Sequence, residues 1–126
     1  MKINTVKQKI TSGGTSIGTF IFEFNTTGIA RLAAQAGAEF AIFDMEHTGW
    51  NAETIRMLVA TSRSTALVPL VRIPATEYHF IASVLDMGAM GIMIPMCDTA
   101  EQARKFVSSA KYPPVGRRGT AFTIAH

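Results

Sequence analysis

Cysteine is almost missing from these 126 residues: Cys97 is alone, which rules out an internal disulfide and fits a reducing compartment. Long apolar runs are missing too, and none approaches the ~18 residues that a membrane helix needs. The opening stretch MKINTVKQKITSGG carries no apolar block of the secretory-signal kind, so a cytoplasmic protein with no membrane partner is expected. Charge of either sign is sparse. Twelve basic and nine acidic residues leave a net charge of +3, and the densest basic spot is the pair Arg117–Arg118. That is too thin for a nucleic-acid surface. No glycine-rich fingerprint follows the first apolar segment, where GTFIFEF runs into NTTG, so no nucleotide cofactor is expected.

What is present is enough apolar material for one core. Hydrophobic residues make up 48% and charged residues 17% of a chain of single-domain length. Mean hydropathy is +0.22, rich for a lone monomer of this size, and points to association or to further covering structure. Val6 and Ile10 place an amphipathic helix in VKQKITSGG. Strands are predicted at residues 16–24, in AEFAIFD, in ALVPLVRI and in GIMIPM, each short and apolar. Helices follow each strand. The first has Ile29, Leu32, Ala33 and Ala36 on one face and Gly37 as its stop. The second has Asn51 as N-cap and Ile55, Leu58 and Val59 on one side. The third ends at Gly88, and the fourth has Asp98 as N-cap with Glu101 completing a capping box. PPVGRRGTAFTIAH closes the chain as a loop. Short apolar strands alternating with helices are α/β architecture with a parallel sheet. Four such units make half of an eight-unit barrel or a small open flavodoxin-like sheet, and periodicity does not separate the two.

Chemistry in such folds collects at the carboxyl ends of strands. There FAIFDMEHTGW turns from an apolar run to Asp44, Glu46 and His47 within four positions. His47 near Asp44 reads as a general base with a carboxylate partner, or as a hydrogen-bonded loop histidine. Arg72 closes the third strand; it is either a forked donor for an acidic substrate or a partner for a strand-end carboxylate. Asp44, Glu46 and His47 are too bunched to make a tetrahedral metal cage unaided. His79 reads as a surface or packing residue, Asp86 as an acid on an outer helix face or at an interface, and His126, the last residue, supports no role. Met87, Met90, Met93 and Met96 read as packing across a helix end and a strand.

FAIFDMEH, VPLVRIP, VLDMGAMGIMIPM and KYPPVGRRG, in this order and spacing, resemble the HpcH/HpaI aldolase family of metal-dependent class II 2-oxo acid aldolases. The resemblance runs from about Ile17 to Gly119 and covers the first half of the family's barrel. It implies a (β/α)8 TIM barrel, with residues 1–126 as the N-terminal half of one domain. The implied reaction is reversible aldol cleavage of a 4-hydroxy-2-oxo acid to pyruvate, or a related 2-oxo acid, and an aldehyde. A divalent cation, Mg²⁺ or Mn²⁺, would stabilise the enolate. By the same resemblance His47 falls on the catalytic histidine and Asp44 on the aspartate before it. Arg72 falls on the arginine that contacts the 2-oxo oxygen. Asp86 falls on an aspartate that reaches a neighbouring subunit's active site, which implies a homo-oligomer. Phe20 stands where some members carry a pocket tryptophan. The family's metal carboxylates lie on later strands, past residue 126, so no metal ligand is expected within this chain. Two other functions remain in view: a non-catalytic half-barrel that works by association, and a citrate-lyase-like enzyme acting on an acyl-CoA.

Overall fold

Four strands pair side by side, all parallel, in the order of the chain: β1 (Gly18–Ile21), β2 (Phe40–Asp44), β3 (Val68–Arg72) and β4 (Gly91–Met93). The structure, a computed structural model, describes residues 3–121; His126 and the end of the PPVGRRGTAFTIAH loop lie outside the described residues. Helix α1 (Thr5–Thr11) precedes β1, and α2 (Ile29–Gln35), α3 (Ala52–Ser62), α4 (Tyr78–Asp86) and α5 (Ala100–Ala110) each follow a strand. No helix among the described residues is long and apolar enough to cross a membrane.

Side chains alternate across a strand, so the register sorts them onto two faces. Ile21, Phe43 and Val71 share one face with Ala41 and Ile73, packed under Ile55, Leu58, Val59, Ile81 and Val84 of the helices. This is the core, and Phe43, Val71 and Ile73 have no exposed surface. The other face carries Phe20, Ile42 and Leu70 in one row and Asp44, Arg72 and Met93 in the next. Phe20 and Leu70 are half-buried and Met93 is exposed. In a closed barrel that second face is the interior, filled by side chains from all eight strands.

Several local expectations shift. β1 stops at Ile21, paired with Phe43, and does not extend to residue 24; Phe22 and Phe24 are exposed. β4 likewise spans only Gly91–Met93. In α2 the buried residues are Ala30 and Ala33, while Leu32 is 59% exposed. Alanines let the helix lie close on the sheet, which turns the leucine outward. In α1 Val6 is buried but Ile10 is exposed, since only the first turn packs; Asn4 caps it and donates to the Met90 carbonyl at 3.1 Å. Met93 and Met96 do not join the methionine packing; they are 39% and 79% exposed. Gly37 and Gly88 do end their helices at positive φ (93° and 103°), where a Cβ is strained.

Helix α5 is capped one residue later than the sequence suggests. Thr99, not Asp98, accepts from the Gln102 amide at 3.2 Å, and Gln102 rather than Glu101 answers by accepting from the Thr99 amide at 3.0 Å. Removing the hydroxyl in Thr99→Ala is expected to cost about 1 kcal/mol, and Asp98→Ala much less. Urea midpoints of the two variants check the assignment; equal losses would refute it.

Candidate functional site

A hydrogen-bonded polar turn follows β2. Asp44 has no exposed surface, so its carboxylate needs partners. Oδ1 accepts from Arg72 Nε at 2.5 Å and from the Glu46 amide at 3.2 Å, and Oδ2 accepts from the His47 amide at 2.9 Å. The Asp44 carbonyl accepts from the Thr48 hydroxyl at 2.6 Å. An aspartate at this position thus folds the loop that follows it, replacing the ladder acceptors that end with the strand. Burial alone pushes the Asp44 carboxyl up. The Arg72 hydrogen bond and the two loop amides outweigh it and hold the group below the ordinary aspartate value. Its hydrogen bond to Asp44 raises Arg72 above the ordinary arginine value, against the opposing effect of burial.

Arg72 reaches this point because Asp44 and Arg72 are register partners on adjacent strands and face the same side. Its Nε lies 3.3 Å from Glu46 Oε2 as well. The guanidinium carbon sits 5.0 Å from the centre of the Phe20 ring and 5.7 Å from that of Phe22, and the two rings stack at 5.1 Å. The pair forms an aromatic wall that keeps the arginine flat and largely dry, with its side chain only 17% exposed.

His47 presents its imidazole outward, 65% exposed, with Nε2 at 3.5 Å from Glu46 Oε2. Asp44 holds the backbone of His47, and the carboxylate that approaches the ring is Glu46. A sequence reading that paired ring and Asp44 missed this, since spacing does not tell which atoms of a turn a carboxylate will bond. Phe22 and Trp50 also border the site unforeseen. Asp44, His47, Arg72 and Phe20 come together. Asp86 does not join them: it ends α4, which returns the chain to the start of β4, the opposite end of the sheet. There it accepts from Arg118 Nη2, and Arg118 lies over the Tyr112 ring at 4.7 Å. His79 is exposed, with its ring against Phe80.

A divalent cation needs several converging donors. Both Asp44 oxygens are already committed, and among the described residues no three His, Cys, Asp or Glu side chains converge as a metal group. The donors present therefore do not fit such an ion by themselves. What they do offer is a charge-bearing donor held rigidly beside an accessible imidazole, at the end of a parallel sheet.

Comparison of the whole chain with known proteins points to one family. Hydroxypyruvate/pyruvate aldolase of Roseobacter denitrificans is 33% identical over 122 residues, 97% of this chain and 47% of that protein. 2-Keto-3-deoxy-L-rhamnonate aldolase of Salmonella gallinarum is 34% identical over 122 residues, again 97% of this chain and 45% of the relative. The crystal structure of an HpcH/HpaI aldolase from Desulfitobacterium hafniense superposes with a TM-score of 0.88 at 36% identity, covering 92% of this chain and 45% of that one. The chain thus spans just under half the length of the relatives it matches. Four parallel βα units in sequence order are accordingly half of a TIM barrel rather than an open flavodoxin-like sheet. The profile of HpcH/HpaI aldolase/citrate lyase matches residues 17–125, and the chain belongs to that family.

Proposed function

We propose that the complete barrel of which these units form half is a carbon–carbon lyase, cleaving a 4-hydroxy-2-oxo acid reversibly to pyruvate, or a related 2-oxo acid, and an aldehyde. The observation that carries this reading is the buried Asp44–Arg72 pair at the strand ends, with His47 anchored to the same carboxylate by its amide. Arg72 uses only Nε toward Asp44 and Glu46, so its outer edge is available to the 2-oxo acid oxygen. His47 takes the proton of the 4-hydroxyl as the C3–C4 bond breaks. The bond's electrons pass through C3 to the C2 oxygen, where Arg72 stabilises the enolate, and C3 is then protonated. Phe20 is a wall of the 2-oxo acid site. Asp86, far from its own strand ends, acts in this reading at a neighbouring copy's site, which makes the enzyme a homo-oligomer. Mg²⁺ or Mn²⁺ belongs to the reaction as proposed, held by carboxylates other than those described here.

Turnover of a 4-hydroxy-2-oxo acid by the complete barrel, followed through released pyruvate, tests the assignment. His47→Gln is expected to lower kcat by about 10²–10⁴-fold with little change in stability, given its exposed ring. Unchanged cleavage would remove His47 from the mechanism.

A second reading applies to the 126-residue chain by itself. The half-buried Phe20 and Leu70 and the exposed Met93 on the barrel-interior face favour association with another half. Light scattering decides it: a mass that stays at 13.6 kDa at high concentration speaks against association.

A further inference from the structure

Phe22, Glu23, His47, Thr48, Gly49 and Trp50 line an open cleft beside the Asp44–Arg72 pair. One wall is the segment that leaves β1 and the other is the loop that leaves β2, so the cleft opens at the strand ends, on the His47 side. Phe22 is 42% exposed and Trp50 is half-buried, and each supplies an aromatic wall. Thr48 is tied up, donating to the Asp44 carbonyl and accepting from the Trp50 amide at 3.2 Å. The charged residue that lines the cleft beside His47 is the exposed Glu23; Glu46 lies nearby, 3.3 Å from Arg72 Nε and 3.5 Å from His47 Nε2.

We propose that this cleft receives the aldehyde half of the substrate and selects a neutral, hydroxylated aldehyde over one that carries a carboxylate, with Glu23 as the discriminating residue. The inference rests on the aldolase reading. If Arg72 takes the 2-oxo acid end, the chain of the aldehyde extends past His47 toward Phe22 and Trp50. Aromatic faces accept the C–H edges of a hydroxylated chain, and a carboxylate accepts hydrogen bonds from its hydroxyls. A second carboxylate in the same place meets the exposed Glu23 at like charge, while Arg72 is taken up by Asp44, Glu46 and the 2-oxo acid end.

The experiment uses the complete barrel and measures kcat/KM for condensation of pyruvate with glyceraldehyde and with succinate semialdehyde, at low ionic strength. The wild type is expected to favour glyceraldehyde. Glu23→Gln is expected to raise the rate with succinate semialdehyde about tenfold, the scale of one like-charge contact in a half-wet cleft, and to lower that with glyceraldehyde by about threefold, because the amide oxygen is a weaker acceptor for its hydroxyls than the carboxylate. Glu23→Lys should carry the ratio further in the same direction. A ratio unmoved by both variants, or a wild type that prefers the acidic aldehyde, overturns the proposal. Exchange of the pyruvate methyl protons in D₂O, with no aldehyde present, separates the two levels. Exchange with an unmoved ratio refutes the cleft alone; absence of exchange refutes the aldolase reading and the cleft with it.

Discussion

Arg72→Ala is expected to cost about 3–5 kcal/mol of stability at neutral pH, because it strands a carboxylate that has no exposed surface. In the complete barrel it should also lower retro-aldol turnover by about 10²–10³-fold, the effect of removing a preorganised donor from a developing oxyanion. The pH dependence identifies the carboxylate. Native Asp44 is held below its ordinary value, so the pair's contribution is fully present above the unfolded-state pKa of ~3.9 and is lost as pH falls through the lower native value. Without Arg72, the same burial is opposed only by two loop amides, so Asp44 takes up its proton at higher pH than in the wild type. A protonated acid is cheaper to bury than a stranded charge. The gap between wild type and variant is therefore expected to be widest near pH 7 and to narrow in acid, measured as urea unfolding at pH 7 and pH 3. A gap that stays constant would mean that the loss does not come from a stranded carboxylate.

Phe43→Ala is expected to cost about 3–5 kcal/mol, and Phe40→Ala, three residues earlier in the same strand, about 1 kcal/mol or less. Phe43 has no exposed surface and lies in the core under the helices. Phe40 faces the other way, half-buried on the side that the described helices leave uncovered. Truncating Phe43 leaves a cavity that the packed helices cannot close; truncating Phe40 removes a ring already part-way into water. Thermal or urea unfolding of the two variants in the 126-residue chain tests the contrast. Equal losses would mean that both faces are equally packed, which is incompatible with the observed burial. In the complete barrel, where Phe40 gains neighbours, its cost should rise toward that of Phe43.

The alternation of short apolar strands with helices was legible because strand burial on a parallel sheet leaves an uninterrupted apolar run, as in FAIF, and because Gly37 and Gly88 stop their helices where φ turns positive. The choice between Leu32 and Ala30 for the buried side of α2 was not, since both fit a helical stripe and only the closeness of the sheet decides. Nor was the shift of the α5 cap by one residue, because DTAEQ offers Asp98 or Thr99 at equal local cost. At the site, Asp44 and Arg72 were legible as polar residues that end strands. That they bond to each other across 28 positions follows from the register, which no local pattern carries. Glu46 escaped notice as the carboxylate closest to the His47 ring because neighbours in sequence usually diverge, and here a turn brings them together.

The order of strands across the sheet is also the order in which a ribosome makes them. Paired residues lie only about 20–30 positions apart, so each new βα unit finds its docking edge already built and no strand must wait for a distant partner. Short loops of this kind are the ones whose closure limits folding least. Assembly can therefore proceed vectorially, with β4 as the growing edge and the Phe20–Leu70 face as the surface awaiting cover. A nascent chain of this extent is committed in topology while its interior is still open, the stage at which a chaperone has most to protect.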